Sequence, residues 1–93
     1  MQFEWDEEKS CRTKKLRGLD FHEASKVWRN SDSLEVLARV VFEPRWAKIG
    51  KINDDVFTVI FVFREDKIRI ISVGRARLNE VKIYEQGKKK NFG

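Results

Sequence analysis

Cysteine, histidine, proline and tyrosine each occur once in this 93-residue chain, and each scarcity removes a class of chemistry. Cys11, alone, can form neither an internal disulfide nor a cysteine-based zinc site. With no histidine beside it to activate the thiol, it reads as a small helix-facing residue, and the low count fits a reducing compartment. The longest strand-like apolar run is Val56 to Phe63, far short of the roughly 20 residues that a membrane helix needs. Met1 to Glu8 carries neither a basic region nor an apolar signal core, so a soluble, non-exported, cytoplasmic protein is expected. There is no phosphate-binding glycine loop, no pair of metal-ligating histidines and no nucleophile elbow. Neither a metal nor a cofactor is therefore expected. His22, near the start of a helix, is better placed as a surface or capping-turn residue than as a general base.

What the chain does have is positive charge, unevenly placed. Residues 1–63 hold eleven basic and eleven acidic side chains and residues 64–93 hold nine basic and four acidic, so the whole net charge of +5 falls in the last third. An anionic partner follows from that asymmetry, with a solvated basic face as the bland alternative. Nucleic acid fits better than a membrane surface, because no segment is both basic and strongly amphipathic with a bulky apolar side.

The strongest structural signal is a hairpin. Val56 to Phe63 and Lys67 to Gly74 are rich in β-branched and aromatic residues and flank Arg64-Glu65-Asp66. The first run is apolar on both faces and should be a central strand covered on both sides. Ahead of it, Gln2 to Trp5 is a short strand candidate, and Asp6 is placed to cap a surface helix over 6–17 that ends at Gly18. Asp20 with Glu23 opens a second helix whose Phe21, Ala24, Val27 and Trp28 should pack on the sheet. Leu34 to Phe42 alternates as a strand with Leu34, Val36, Ala38, Val40 and Phe42 on one face, and Pro44 places a bend before a strand over 45–50. A last helix is predicted over 75–86, with Gly87 as its stop and a basic tail at 88–93. The fold class is α+β: two N-terminal helices, a four-stranded mainly antiparallel sheet with the short N-terminal strand candidate, and a C-terminal helix, in one domain over 1–87.

Arginine-rich phosphate chemistry is what these residues leave. An RNA phosphodiester is cleaved by its own 2′-hydroxyl when an enzyme aligns the attack and neutralises the phosphorane, which Arg, Lys, Glu and Tyr can do without metal. Phe3-Glu4-Trp5-Asp6 with Lys9, Gly18, Phe21-x-Glu23-Ala24, Glu43-x-Arg45-Trp46-x-x-Ile49-Gly50, Arg64, Ile68-Arg69-Ile70-Ile71-Ser72, Glu80 and Tyr84-Glu85 resemble, in order and spacing, the BrnT toxin family over about residues 3–85. The resemblance implies a RelE-like ribonuclease fold and a bacterial type II toxin that cleaves RNA. It also implies a BrnA-type ribbon-helix-helix antitoxin, expected to hold the toxin inactive in a two-plus-two complex.

On this reading Arg45, Arg64, Arg69, Arg75 and Tyr84 are the candidate catalytic residues, Lys14, Arg17 and Arg77 the RNA-binding ones, and Glu43 and Glu80 structural ion-pair partners. Each has a plainer alternative: Arg69 as a cross-sheet partner of a carboxylate such as Glu43, Arg64 as a turn residue, Tyr84 as packing for the last helix. Trp46, Phe57, Phe61 and Phe63 would stack bases if exposed and otherwise fill the core. The chain departs from the family pattern at Leu16-Arg17, where Lys-His is usual, and at Ser72-Val73-Gly74, where Ser-Ala-Arg is usual. A module that binds RNA or antitoxin with weak or no cleavage is thus the alternative function.

Overall fold

The computed structural model describes residues 2–40 and 42–91. Five strands form one sheet: β1 (Gln2–Glu4), β2 (Leu34–Val40), β3 (Pro44–Ile52), β4 (Asp55–Arg64) and β5 (Lys67–Arg75). Their order across the sheet is β1-β5-β4-β3-β2, with β2 to β5 antiparallel and β1 joined parallel to β5. The helices are α1 (Glu7–Arg17), α2 (Phe21–Ala24), which passes into a tighter 3-10 turn over Ser25–Arg29, and α3 (Leu78–Asn91). This is the expected α+β arrangement, and the short N-terminal strand is real.

Capping fixes the first helices. The Asp6 carboxylate accepts the Lys9 N–H at 3.2 Å at the start of α1, and Gly18 ends it at φ 78°, a left-handed position that glycine takes without strain. Asp20 and Glu23 form the reciprocal capping box of α2. Ser10, the one buried residue of α1, accepts the Phe21 N–H at 3.0 Å and so ties the two helices together. Leu16 and Cys11 are exposed, as a polar surface helix requires. Phe21, Ala24 and Val27 are fully buried against Val59, Phe61, Ile68, Ile70 and Val73. Trp28 stacks edge-on between Phe3 and Phe61, with both ring centroids 5.0 Å away, and so locks β1 to the centre of the sheet.

β4 is covered on both sides. Val59 and Phe61 face α1 and α2, while Thr58 and Val62 point the other way and are also buried. On that second face α3 packs against β3, and Gly87 lies directly on Leu34 of β2. The stop expected at Gly87 is absent. The helix continues to Asn91 because this glycine provides close packing: a Cβ there would come within 2.4 Å of Leu34 Cδ1.

Two further expectations change. Pro44 does not sit in a bend outside the sheet but opens β3 and pairs with Val40, a first-strand position that needs no ladder N–H. The alternation of β2 breaks where the register shifts between Leu37 and Arg39, so Ala38 is an extra residue. Leu34 and Val36 share the α3 face as expected, but beyond the bulge Arg39 takes that face, and Val40 and Phe42 are exposed.

Gly50 of β3 meets the loop before β2, where an added Cβ would lie 2.7 Å from Ser33 Cβ and 3.2 Å from Val27 Cγ2. Gly50→Ala is expected to destabilise the fold by about 1–3 kcal/mol through overpacking, measured as a lower midpoint in urea unfolding with the slope unchanged.

Candidate nucleic-acid interface

Strand register decides which basic side chains share a face. Arg39 pairs with Arg45, Val62 pairs with Arg69, and Arg69 pairs with Glu4. Because Trp46 pairs with Phe61, Arg45 and Val62 are the next opposed positions on β3 and β4. One cross-sheet row therefore reads Arg39, Arg45, Val62, Arg69, Glu4, on the same face as α3. With strands about 4.8 Å apart, Arg45 and Arg69 stand on two strands separated by about 10 Å. Arg64 extends the band two residues further along β4, beside Lys67 of β5.

Carboxylates orient this band from its rim. Arg69 donates to Glu4 at 2.8 Å, and Arg64 donates to Glu43 at 2.9 Å. Such pairs at a partly exposed surface add little stability, but they fix the direction of each guanidinium. Glu43 serves as an ion-pair partner, though of Arg64; the cross-sheet partner of Arg69 is Glu4, which sequence reasoning did not name. Among the described residues Arg39 and Arg45 form no salt bridge, and with Phe42 and Glu43 they line a concavity of about 320 Å³. Arg39 was missed because its face depends on the Ala38 bulge.

A second basic cluster lies at the other end of the hairpin. Arg17 reaches from the end of α1 to the outer edge of β5, which β1 leaves unpaired beyond Arg69, and donates through Nη1 to the Val73 carbonyl at 2.7 Å. Arg75 pairs with Asp55 at 3.1 Å and lies over the Phe57 ring at 5.7 Å. Arg17, Arg75 and Arg77 together line a cavity of about 350 Å³ on the α3 face and one of about 440 Å³ on the side of Leu19 and Phe57.

Three expected site residues are used elsewhere. Lys14 is on α1 and bonds Glu23 at 2.6 Å, which raises the lysine pKa and lowers that of the carboxylate. Glu80 forms no salt bridge among the described residues; its carboxylate accepts the Arg77 N–H at 2.7 Å and caps α3. Tyr84 is fully buried and its hydroxyl donates to Asn30 Oδ1 at 3.2 Å, which fastens α3 to the loop before β2, and burial pushes its phenol above the usual range. His22 is exposed on α2, on the helical side of the sheet away from the arginine row. Of the aromatic residues weighed as base-stacking candidates, Phe61 is buried, while Trp46 and Phe63 form an edge-to-face pair at 6.0 Å on the face opposite the row.

A family model for the ribonuclease toxin BrnT of type II toxin-antitoxin systems matches residues 5–80. The chain belongs to the BrnT family. No curated protein matches it closely enough to add a nearer relative. Membership implies a ribonuclease toxin of a type II system, with RNA as target and an antitoxin as partner. Both arginine clusters lie within the matched span, on β-strands and flanking segments except for Arg17 at the end of α1. No helix among the described residues is long and apolar enough to cross a membrane.

Tyr84→Phe is expected to cost about 1 kcal/mol of stability through the lost hydrogen bond and to leave RNA cleavage unchanged. Chemical denaturation alongside a cleavage assay checks this, and abolished cleavage in a fully folded variant would put the phenol in the site.

Proposed function

We propose that this chain is an endoribonuclease toxin that holds RNA across the α3 face of its sheet and cleaves it by attack of a ribose 2′-hydroxyl on the adjacent phosphate. The observation that carries this reading is the cross-strand pair Arg39–Arg45, in line with Arg69. Like charges directly opposite on neighbouring strands repel, and such a pair is an asset where an anion settles between them. Phosphate oxygens supply that anion, and planar guanidinium forks match them with two parallel hydrogen bonds.

In the reaction, the 2′-hydroxyl gives its proton to solvent and its oxygen forms a bond to phosphorus, while the bond from phosphorus to the 5′-oxygen of the next nucleotide breaks and that oxygen takes a proton from solvent. The products are a 2′,3′-cyclic phosphate and a 5′-hydroxyl end. Negative charge accumulates on the non-bridging oxygens between these events, and Arg45 and Arg69 are placed to stabilise it more strongly than they stabilise the ground state. Glu4 and Glu43 hold Arg69 and Arg64 aligned beforehand and yield them to the phosphate on binding. Arginine cannot accept the 2′-hydroxyl proton near neutral pH, so the row supplies charge stabilisation and alignment rather than base catalysis.

The antitoxin in this reading is a BrnA-like ribbon-helix-helix protein whose dimer binds two toxins in the cytoplasm. An acidic segment laid over the arginine row would compete with RNA for the same guanidiniums. The second reading, a module that binds RNA or antitoxin with little cleavage, draws support from the position of His22: the only imidazole of the chain lies on the wrong side of the sheet to transfer a proton in the row.

One experiment separates these readings. Arg45→Ala with Arg69→Ala should weaken binding of a single-stranded RNA at least tenfold and reduce the slope of log affinity against log salt by ~1.4, at ~0.7 for each phosphate that is no longer neutralised. Fluorescence anisotropy at several salt concentrations measures both, and a gel assay follows cleavage. Unchanged affinity and slope would remove RNA from this face. Wild-type binding without cleavage or growth arrest would establish the module reading.

A further inference from the structure

The cleft beside the N-terminal end of α3 contains a group that the arginine row does not explain. Thr58 is 8% exposed, and its Oγ1 is buried with no hydrogen-bond partner among the described residues. Leaving a buried hydroxyl unpaired costs about 1–3 kcal/mol, so its retention at the centre of the sheet calls for a partner that arrives from outside. Thr58 pairs across the sheet with Gly74, on the face that α3 occupies, and both line the cavity of about 350 Å³ with Arg17, Ser72, Arg75, Arg77 and one carboxylate, Glu80.

Arg17 is held there by the fold. Its Nη1 donates to the Val73 carbonyl, and it occupies the space that any side chain at 74 would need, since a Cβ on Gly74 would lie 2.6 Å from that nitrogen. One guanidinium N–H is thus committed to the backbone while the other donors remain for a ligand. Arg77 immediately precedes α3, whose positive end opens at Leu78. Hydroxyl, fixed guanidinium and Arg77 converge on one small cavity, whose Glu80 carboxylate already caps the start of α3.

We infer that this cleft is a discrete phosphate seat, built by Arg17, Arg77 and the Thr58 hydroxyl, that anchors the RNA at a second point distinct from the Arg39–Arg45–Arg69 row. Thr58 stands four residues from Val62 of the row, or about 13 Å along β4 at ~3.3 Å per residue. Two anchors at that spacing lay the RNA parallel to β4 and β5 rather than across the strands, with a few nucleotides between them. The inference rests on the RNA-binding reading of this face and adds its direction and its second anchor. The ligand chemistry is a phosphate oxygen, from a backbone diester or from a terminal monoester.

The test uses the full chain and an eight-nucleotide 2′-deoxy oligonucleotide, which cannot be cleaved, with and without a 5′-phosphate, together with inorganic phosphate followed by NMR at the Thr58 and Gly74 amides. Thr58→Val keeps the shape and removes the orphan hydroxyl. It should raise the melting temperature and lower oligonucleotide affinity about tenfold, the usual scale for a hydrogen bond to a charged group. Gly74→Ala, which displaces the Arg17 guanidinium without deleting it, should weaken binding in a folded protein. Arg17→Gln should do the same and reduce the salt slope by ~0.7. Phosphate should shift both amides in the wild type and in Arg39→Gln, but not in Arg17→Gln.

Equal affinity with and without the 5′-phosphate identifies a diester seat, and a preference for the phosphorylated probe identifies a monoester seat. If Thr58→Val gains stability with unchanged affinity, a water alone satisfies the hydroxyl and the seat is refuted. Weakened binding in the row variants with full binding in the cleft variants would also refute the seat while leaving the RNA reading intact. Failure of both sets would remove both.

Discussion

Burial of β4 on both faces is the constraint from which the rest of the structure follows. A strand with Val59 and Phe61 on one side and Thr58 and Val62 on the other needs two covers, and the chain provides them from opposite ends. α1, α2 and the turn after α2 close one side early in the sequence; α3 approaches the other side last. Because α3 seats on β3 and Leu34, the half of its face formed by β4 and β5 is left for polar and charged residues. The arginine row therefore occupies what remains of the second side of the sheet once packing has taken its share.

That surface keeps its charges poised instead of neutralised. Arg64, Arg69 and Arg75 have one carboxylate partner each, all at positions open enough for an anion to compete. Desolvating such pairs fully would cost several kcal/mol per ion; leaving them at the surface makes exchange of a carboxylate for a phosphate nearly balanced in energy. Ion pairs of this kind leave each guanidinium exchangeable between a carboxylate and another anion.

Much of this could be read along the chain, and the reason is locality. The β4–β5 hairpin, the Asp6 and Asp20 caps and the Gly18 stop each depend on residues a few positions apart, and period and capping chemistry suffice to find them. Arg64 and Arg69 were legible at the ends of the hairpin for the same reason, whereas Arg45 was legible only through the family resemblance. What could not be read depends on pairing. The Ala38 bulge exists only in the alignment of β2 against β3, and it alone turns Arg39 onto the row. Arg17 finds Val73 across 56 residues, and Gly87 looks like a helix stop until Leu34 is seen beneath it. Tyr84, Lys14 and Glu80 have the right chemistry for a site but are consumed by bonds to Asn30, Glu23 and the Arg77 backbone.

The parallel seam between β1 and β5 has a temporal consequence. Glu4 and Arg69 are 65 residues apart in sequence, and the row they belong to takes one member from each of the five strands. Pairings of such long range form after local ones, since loop closure must be completed before they contribute. A chain still being synthesised owns the capped helices and the β3–β4 turn well before it owns Arg69. The arginine row is thus the last part of the sheet to come into being, and a ribosome that stops short of β5 releases a fragment without it.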